Sequence, residues 1–347
     1  MRNSLRLMIA MLAAVVLFAG ACSDGSDNED STSTDDGSEA SEESSGGGGG
    51  DGPVKIAFST PGADHGWTAA ITTNAEAEAE KWDDIEFTLL EGSNDSAGQV
   101  AQVEQLIADD PDVLVILPQE GDPLTPVAQE AMSKGIPVVN IDRAFSDPAA
   151  YRTWIGGDNH GIGVSAGNYF AEQLDCSGKV VEIQGLAGIS VTEERSAGFA
   201  EALEDRCGTG IEIVAKQPAD FNPDKGLTVM ETILQAQPEI DAVYTHDDDM
   251  AAGVVSAIEN ADRADEMFLT GAGGSKAAME QIKAGGLYKA TFMYNPSMAA
   301  SAVRLARLIG LNQGMSDLAE PQVPSYITLP ASTVTQDNVD DYMSLGF

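Results

Sequence analysis

VVEIQGLAGISVTEERSAGFAEA, residues Val180–Ala202, decides the fold. Val180 to Ile183 is a short apolar run of strand length. Gln184-Gly185-Leu186-Ala187-Gly188 is a polar, glycine-bearing turn, and a segment of helical period carrying Arg195 follows. Strand, turn and helix in that order form half of a βαβ unit.

Working outward, the same unit recurs. Apolar runs lie at Val54 to Phe58, Glu86 to Leu90, Val113 to Leu117 and Val138 to Ile141, then at Ile211 to Val214, Ala242 to Tyr244, Met267 to Leu269 and Ala290 to Met293. Helix-like stretches such as Thr68 to Trp82, Gln99 to Ala108 and Val164 to Leu174 stand between them. Strands that are apolar on both faces and separated by helices predict parallel sheets covered on both sides. About nine such strands exceed one compact doubly wound half, so two αβ sandwiches are expected.

The N-terminus reads differently. Arg2 and Arg6, an uncharged apolar run from Leu7 to Ala21 and the small residues Ala19-Gly20-Ala21 predict a secretory signal over 1–21, too short for a stable span. Cys22 follows at once, and this arrangement resembles the bacterial lipoprotein lipobox, although Leu17 lies five positions before the cysteine where that motif usually has leucine three before. The resemblance implies lipidation of Cys22 and an extracytoplasmic protein held at the cell membrane. Residues 22–53 are then an acidic Ser/Gly tether, with ten acids, no base and the glycine run Gly46 to Gly50.

The chain carries 18 Lys and Arg against 56 Asp and Glu, a formal net charge of −38. With the two signal arginines and the ten tether acids set aside, 16 bases face 46 acids, a net of −30. Such a field opposes nucleic acid and anionic lipid as partners, and leaves the lipid anchor as the only membrane contact. Attraction of a cationic ligand and plain solubility are both open readings of that charge. Cys176 and Cys207 each precede an apolar run, and in a parallel sheet both positions fall at one edge, which is compatible with a disulfide in this compartment. Three histidines with no paired Cys or His spacing predict neither a metal site nor a cofactor.

In doubly wound sheets ligands bind beyond the carboxyl ends of the strands. There the chain places Asp64, His65 and Trp67, then Asp142-Arg143, Asn159, Arg195, Phe221, Asp247 and Tyr294. Carboxylates, amides and guanidinium pair with vicinal hydroxyls, while aromatic rings cover apolar C–H faces, so a polyhydroxylated ligand is expected. In the run Asp247-Asp248-Asp249 one member is expected to cap a helix and another to be solvated. Gly271-Ala272-Gly273-Gly274 is the nearest approach to a dinucleotide fingerprint. Its third glycine would fall at Lys276, and no nucleophile elbow is present, so an enzyme is the weaker reading.

At these residues the chain resembles the ribose-type, class I periplasmic sugar-binding proteins of ABC importers. The likeness spans 54 to about 330 and is strongest in Val180–Ala202, in KQPADFNPDKGLTVMETIL from Lys216 to Leu234, and in DDDMAAG from Asp247 to Gly253. It implies two flavodoxin-like lobes joined by a three-strand hinge, 54–157 plus 295–324 and 158–294 plus 325–347. It also implies stacking by Trp67 and Phe221, and hydroxyl gripping by Asp142, Arg143 and Arg195. Ala272-Gly273 departs from the family's Phe-Asp, Tyr294 from its glutamine and Asp247 from its asparagine, and the Asp64-His65 loop is one residue longer. A sugar other than ribose, a sugar alcohol or another small polar metabolite is therefore expected. The implied partner is an ABC permease with a cytoplasmic ATPase, the protein acting as a monomer without catalysis; a sensory receptor of the same fold is the alternative. A sugar-responsive repressor is excluded by the export signal and by the missing basic DNA-binding segment.

Overall fold

The computed structural model describes residues 52–92 and 95–347. The expected signal segment, Cys22 and nearly all of the tether lie outside them.

In the first lobe β1 (Val54–Thr60), α1 (Gly66–Ala79), β2 (Ile85–Glu91), α2 (Ser96–Ala108), β3 (Val113–Ile116), α3 (Gly121–Ser133), β4 (Val138–Ile141) and β5 (Thr153–Gly157) alternate. The chain then enters a second lobe with α4 (Asn159–Gln173), β6 (Gly178–Gln184), α5 (Ser190–Cys207), β7 (Ile211–Pro218), α6 (Pro223–Ala236), β8 (Ala242–Thr245), α7 (Asp248–Asn260), β9 (Phe268–Gly273), α8 (Lys276–Ala284) and β10 (Tyr288–Met293). It returns to the first through α9 (Met298–Gly310) and β11 (Tyr326–Leu329), then ends in the second with β12 (Thr333–Thr335) and α10 (Val339–Tyr342).

The two sheets run β11-β5-β4-β3-β1-β2 and β12-β10-β9-β8-β6-β7. Every pairing is parallel except β10 with β12. The central strands explain why. β3 (VLVI) and β8 (AVYT) are buried at every position, so each needs a helical layer on both faces, and only crossover connections supply that. The edge strand β2 instead alternates between half-buried and exposed residues.

One expected boundary moves. The resemblance places residues 325–347 as a block in the second lobe, yet Tyr326–Leu329 pairs with β5 in the first sheet, and the last crossing lies at 330–332. Trp154 N donates to Ser325 O (3.0 Å) and Tyr326 stacks on the Trp154 ring, centroids 4.2 Å apart, which draws that strand to the first sheet. Gly271 to Gly273 are the last residues of β9. Three crossings join the lobes, and they are tied together. Asp158 N donates to Leu329 O (3.0 Å) and Met293 N to Ser332 O (2.8 Å), while Tyr294 N ties its crossing back to β9 at Gly273 O (3.0 Å). At the start of β6 and β7, remote from these crossings, Cys176 and Cys207 form a disulfide with Cα atoms 5.0 Å apart.

Candidate functional site

The carboxyl ends of both sheets face one cleft between the lobes. From the first lobe it is lined by His65, Trp67, Asp142 and Arg143, from the second by Arg195, Phe221 and Asp247, and from a crossing by Tyr294. Val191, Ala272 and Gly273 complete the wall.

The first-lobe residues are held by short turns. Asn140 is a buried amide inside the apolar run of β4. Its Nδ2 donates to Arg143 O (3.0 Å) and its Oδ1 accepts from Phe145 N (3.1 Å), so the strand dictates the turn after it. Asp142 takes a left-handed φ of 61°, and Trp154 Nε1 donates to its carbonyl (3.1 Å). Arg143 is anchored through Nη1 to Gln119 O (2.7 Å), while its buried Nε has no hydrogen-bond partner and lies 3.7 Å from Asp142 Oδ2. His65 precedes α1 and bonds Asp64 Oδ1 through Nδ1 (2.5 Å). Its ring lies 6.4 Å from that of Trp67 and 5.8 Å from that of Phe221 in the other lobe. Burial opposes charge on His65, but the Asp64 bond and the Asp247 charge outweigh it and raise its pKa. Asp64 is lowered by His65 against its own burial.

The second-lobe residues stand on a buried polar network. Arg195 donates from Nε to Asn159 Oδ1 (3.0 Å) and from Nη1 to His246 O, and its guanidinium lies 4.8 Å over the Tyr294 ring. Asn159 Nδ2 reaches Tyr294 OH (3.3 Å), which in turn donates to Asp142. This forms a chain of hydrogen bonds from one lobe to the other through the crossing. Below it the fully buried His246 and Glu182 meet at 3.0 Å, with Ser196 donating to Glu182 and Lys216 Nζ 3.2 Å away. Burial lowers the His246 pKa despite Glu182. Glu182 is held low by His246, then Ser196 and Lys216, against its own burial. His246 is thus neutral and donates from Nε2 to the carboxylate. Burial pushes Asp247 up to about 7, opposed by the His65 charge.

Tyr294 sits where it does because Gly157 has no side chain, as a Cβ there would lie 2.1 Å from the ring. Trp67 Nε1 donates to Tyr294 O (2.7 Å), and the two rings are 5.4 Å apart.

Eight of the ten residues picked out by sequence therefore line the cavity. Asp64 and Asn159 do not: the first pairs with His65, and the second has both ends committed to Arg195 and Tyr294. The acidic run divides three ways. Asp247 caps α7 and lines the cavity. Asp248 is buried, accepting from Tyr288, Thr291 and the amides of Gly274 and Ser275, so it fixes the turn after β9. Asp249, half-buried rather than simply solvated, accepts from Gly66 N of the first lobe (2.6 Å). Among the described residues no cluster of His, Cys, Asp and Glu is arranged to hold a metal ion.

Comparison with known proteins agrees with this geometry. The periplasmic binding protein domain matches residues 56–312. The ribose import binding protein RbsB of Bacillus subtilis is 33% identical over 66% of this chain and 72% of its own length. The galactofuranose-binding protein YtfQ of Escherichia coli is 35% identical over 60% of this chain and 67% of its own. An ABC transporter solute-binding protein from Bacillus halodurans, solved with bound myo-inositol, superposes with a TM-score of 0.78 at 25% identity, covering 86% of this chain and 99% of that one. Two parallel lobes crossed three times, a cavity at their strand ends and these relatives lead to one conclusion: the chain belongs to the periplasmic binding protein family, in its ribose-type, class I branch.

Proposed function

We propose that the protein captures a monosaccharide or sugar alcohol between its lobes, outside the cytoplasm, and hands it to the permease of an ABC importer with a cytoplasmic ATPase. The observation that carries this reading is the makeup of the cavity. Two guanidinium groups, two carboxylates and an imidazole lie among the rings of Trp67, Phe221 and Tyr294. Charged planar groups match vicinal hydroxyls and the rings match C–H faces, a combination that suits polyols. Ala272 and Gly273 widen the second-lobe wall, and the bound myo-inositol of one structural neighbour accords with a polyol ligand.

The ligand is bound and released unchanged, in keeping with the solute-binding relatives. Lipidation at Cys22 holds the protein, as a monomer, at the membrane; Cys22→Ser should release it into the soluble fraction. The deciding test is thermal denaturation against pentoses, hexoses, sugar alcohols and cyclic polyols, followed by calorimetry on whatever shifts. A ligand bound only by the folded state raises Tm. A shift from one such class supports capture, and a flat panel overturns it.

A further inference from the structure

The lobes touch directly beside the cavity, through Gly66 and Asp249, which do not line it, and through His65 and Phe221, which do. Gly66, the first residue of α1, donates its N–H to Asp249 Oδ2 in the first turn of α7 at 2.6 Å. The approach is close enough that a Cβ on residue 66 would sit 2.8 Å from that oxygen. One residue earlier, His65 stacks on Phe221 across the same gap, centroids 5.8 Å apart and planes 20° apart. A sugar ring held between two aromatic faces needs those faces about 7 Å apart, since C–H to ring contact alone takes roughly 3.5 Å on each side. The His65–Phe221 pair is therefore a contact of lobe with lobe.

We infer that Gly66, Asp249 and the His65–Phe221 stack form a latch, by which the protein itself stabilises the closed arrangement of its lobes whatever ligand is bound. Asp249 is a positioning residue in this scheme. It lies outside the cavity lining, so it acts on the ligand only through the closed population. Its carboxylate has no separate structural task comparable to those of its neighbours, Asp247 capping α7 and Asp248 pinning the turn after β9.

The consequence is quantitative. When only one conformation binds, apparent affinity scales with the fraction of molecules in it. Loosening the latch divides every ligand's affinity by one common factor and leaves their ranking alone, whereas altering a ligand-contacting residue changes the ranking. A charge-assisted hydrogen bond at a half-exposed site supports a factor of about 3 to 10.

The affinity arm of the test rests on the capture reading; the distance arm does not. Spin labels on the exposed residues Asn260 and Glu130, one per lobe, report interlobe distance by pulsed electron resonance without added sugar. Asp249→Ala and Gly66→Ala should each lengthen that distance, and Asp249→Asn, which keeps an acceptor oxygen, should restore most of it. The double substitution should add little to either single one, as residues sharing one contact do not act additively. An unchanged distance distribution in both alanine variants overturns the latch even if sugars bind. With sugar, equal weakening across several ligands supports it, and a reordering of their affinities overturns it. Failure of every sugar to bind sinks the capture reading while the distances still decide the latch.

Discussion

The two faces of the cleft reach similar chemistry by different construction. On the first lobe, His65, Asp142 and Arg143 stand on turns and Trp67 in the first turn of α1, and all but His65 are steadied mainly through backbone carbonyls. On the second, Arg195 is tied to the buried Asn159 amide and to His246 O, with Glu182, His246 and Ser196 bonded to one another behind it, while Asp247 accepts from Met250 N. A turn held by backbone bonds tolerates a changed side chain with local effects. A buried network does not, because removing one member strands the others without water to replace it.

Arg195→Ala breaks this comparison most directly. It removes the ligand-facing guanidinium and leaves Asn159 Oδ1 and His246 O unpaired, so affinity should fall at least 100-fold and stability by about 2 kcal/mol. Calorimetry and urea unfolding read the two effects; a binding loss with full stability would mean that the network is not the support described. Trp67→Phe tests the other face. It deletes the Nε1 bond to Tyr294 O and part of the ring, and should cost about 10-fold in affinity with under about 1.5 kcal/mol of stability. A loss as large as that of Arg195→Ala would erase the distinction between the faces.

Acidity sharpens it further. Burial raises Asp247 from 3.8 to about 7. A carboxyl raised on folding contributes stability that is full below about pH 4 and is lost as pH rises through about 7. Its value as an acceptor for sugar hydroxyls runs the other way. Affinity should climb several-fold between pH 6 and 8 as the ionised fraction rises from roughly one-tenth to roughly nine-tenths, while stability declines, and Asp247→Asn should flatten both trends. The smallest effect belongs behind the first lobe. Glu78, buried on α1, is bound by Arg304 at 2.6 and 3.0 Å, and that pairing holds its pKa at about 2. Its stabilisation is present above about 4.5 and lost as pH falls through about 2. Glu78→Gln should cost about 1–2 kcal/mol at neutral pH and leave sugar affinity unaltered.

The alternation of strands and helices was legible because double-sided burial leaves an unbroken apolar run, as in Val113 to Leu117. β11 and β12 were not: YITL alternates half-buried and exposed residues, TVT is three residues long, and the partner strand decides where each goes. The cavity lining was largely legible because a parallel sheet puts its ligand at the strand ends. The supports were harder to see. Their signal was a polar residue inside an apolar run, Asn140 in VVNI and Glu182 in VVEIQ, which has to be buried and therefore has to be bonded. Asp248 and Asp249 gave no such sign, since their tasks depend on segments distant in sequence, β10 and the start of α1.

The three crossings also set an order of manufacture. Thr153 of β5 donates to Pro324 across 171 positions, and the next residues pair as the last strand of the first sheet. A chain made from its N-terminus thus completes its second sheet's central strands before its first lobe has an outer edge. Until that strand is synthesised the first sheet lacks its edge, so the cleft cannot close between two finished lobes before the chain is nearly complete.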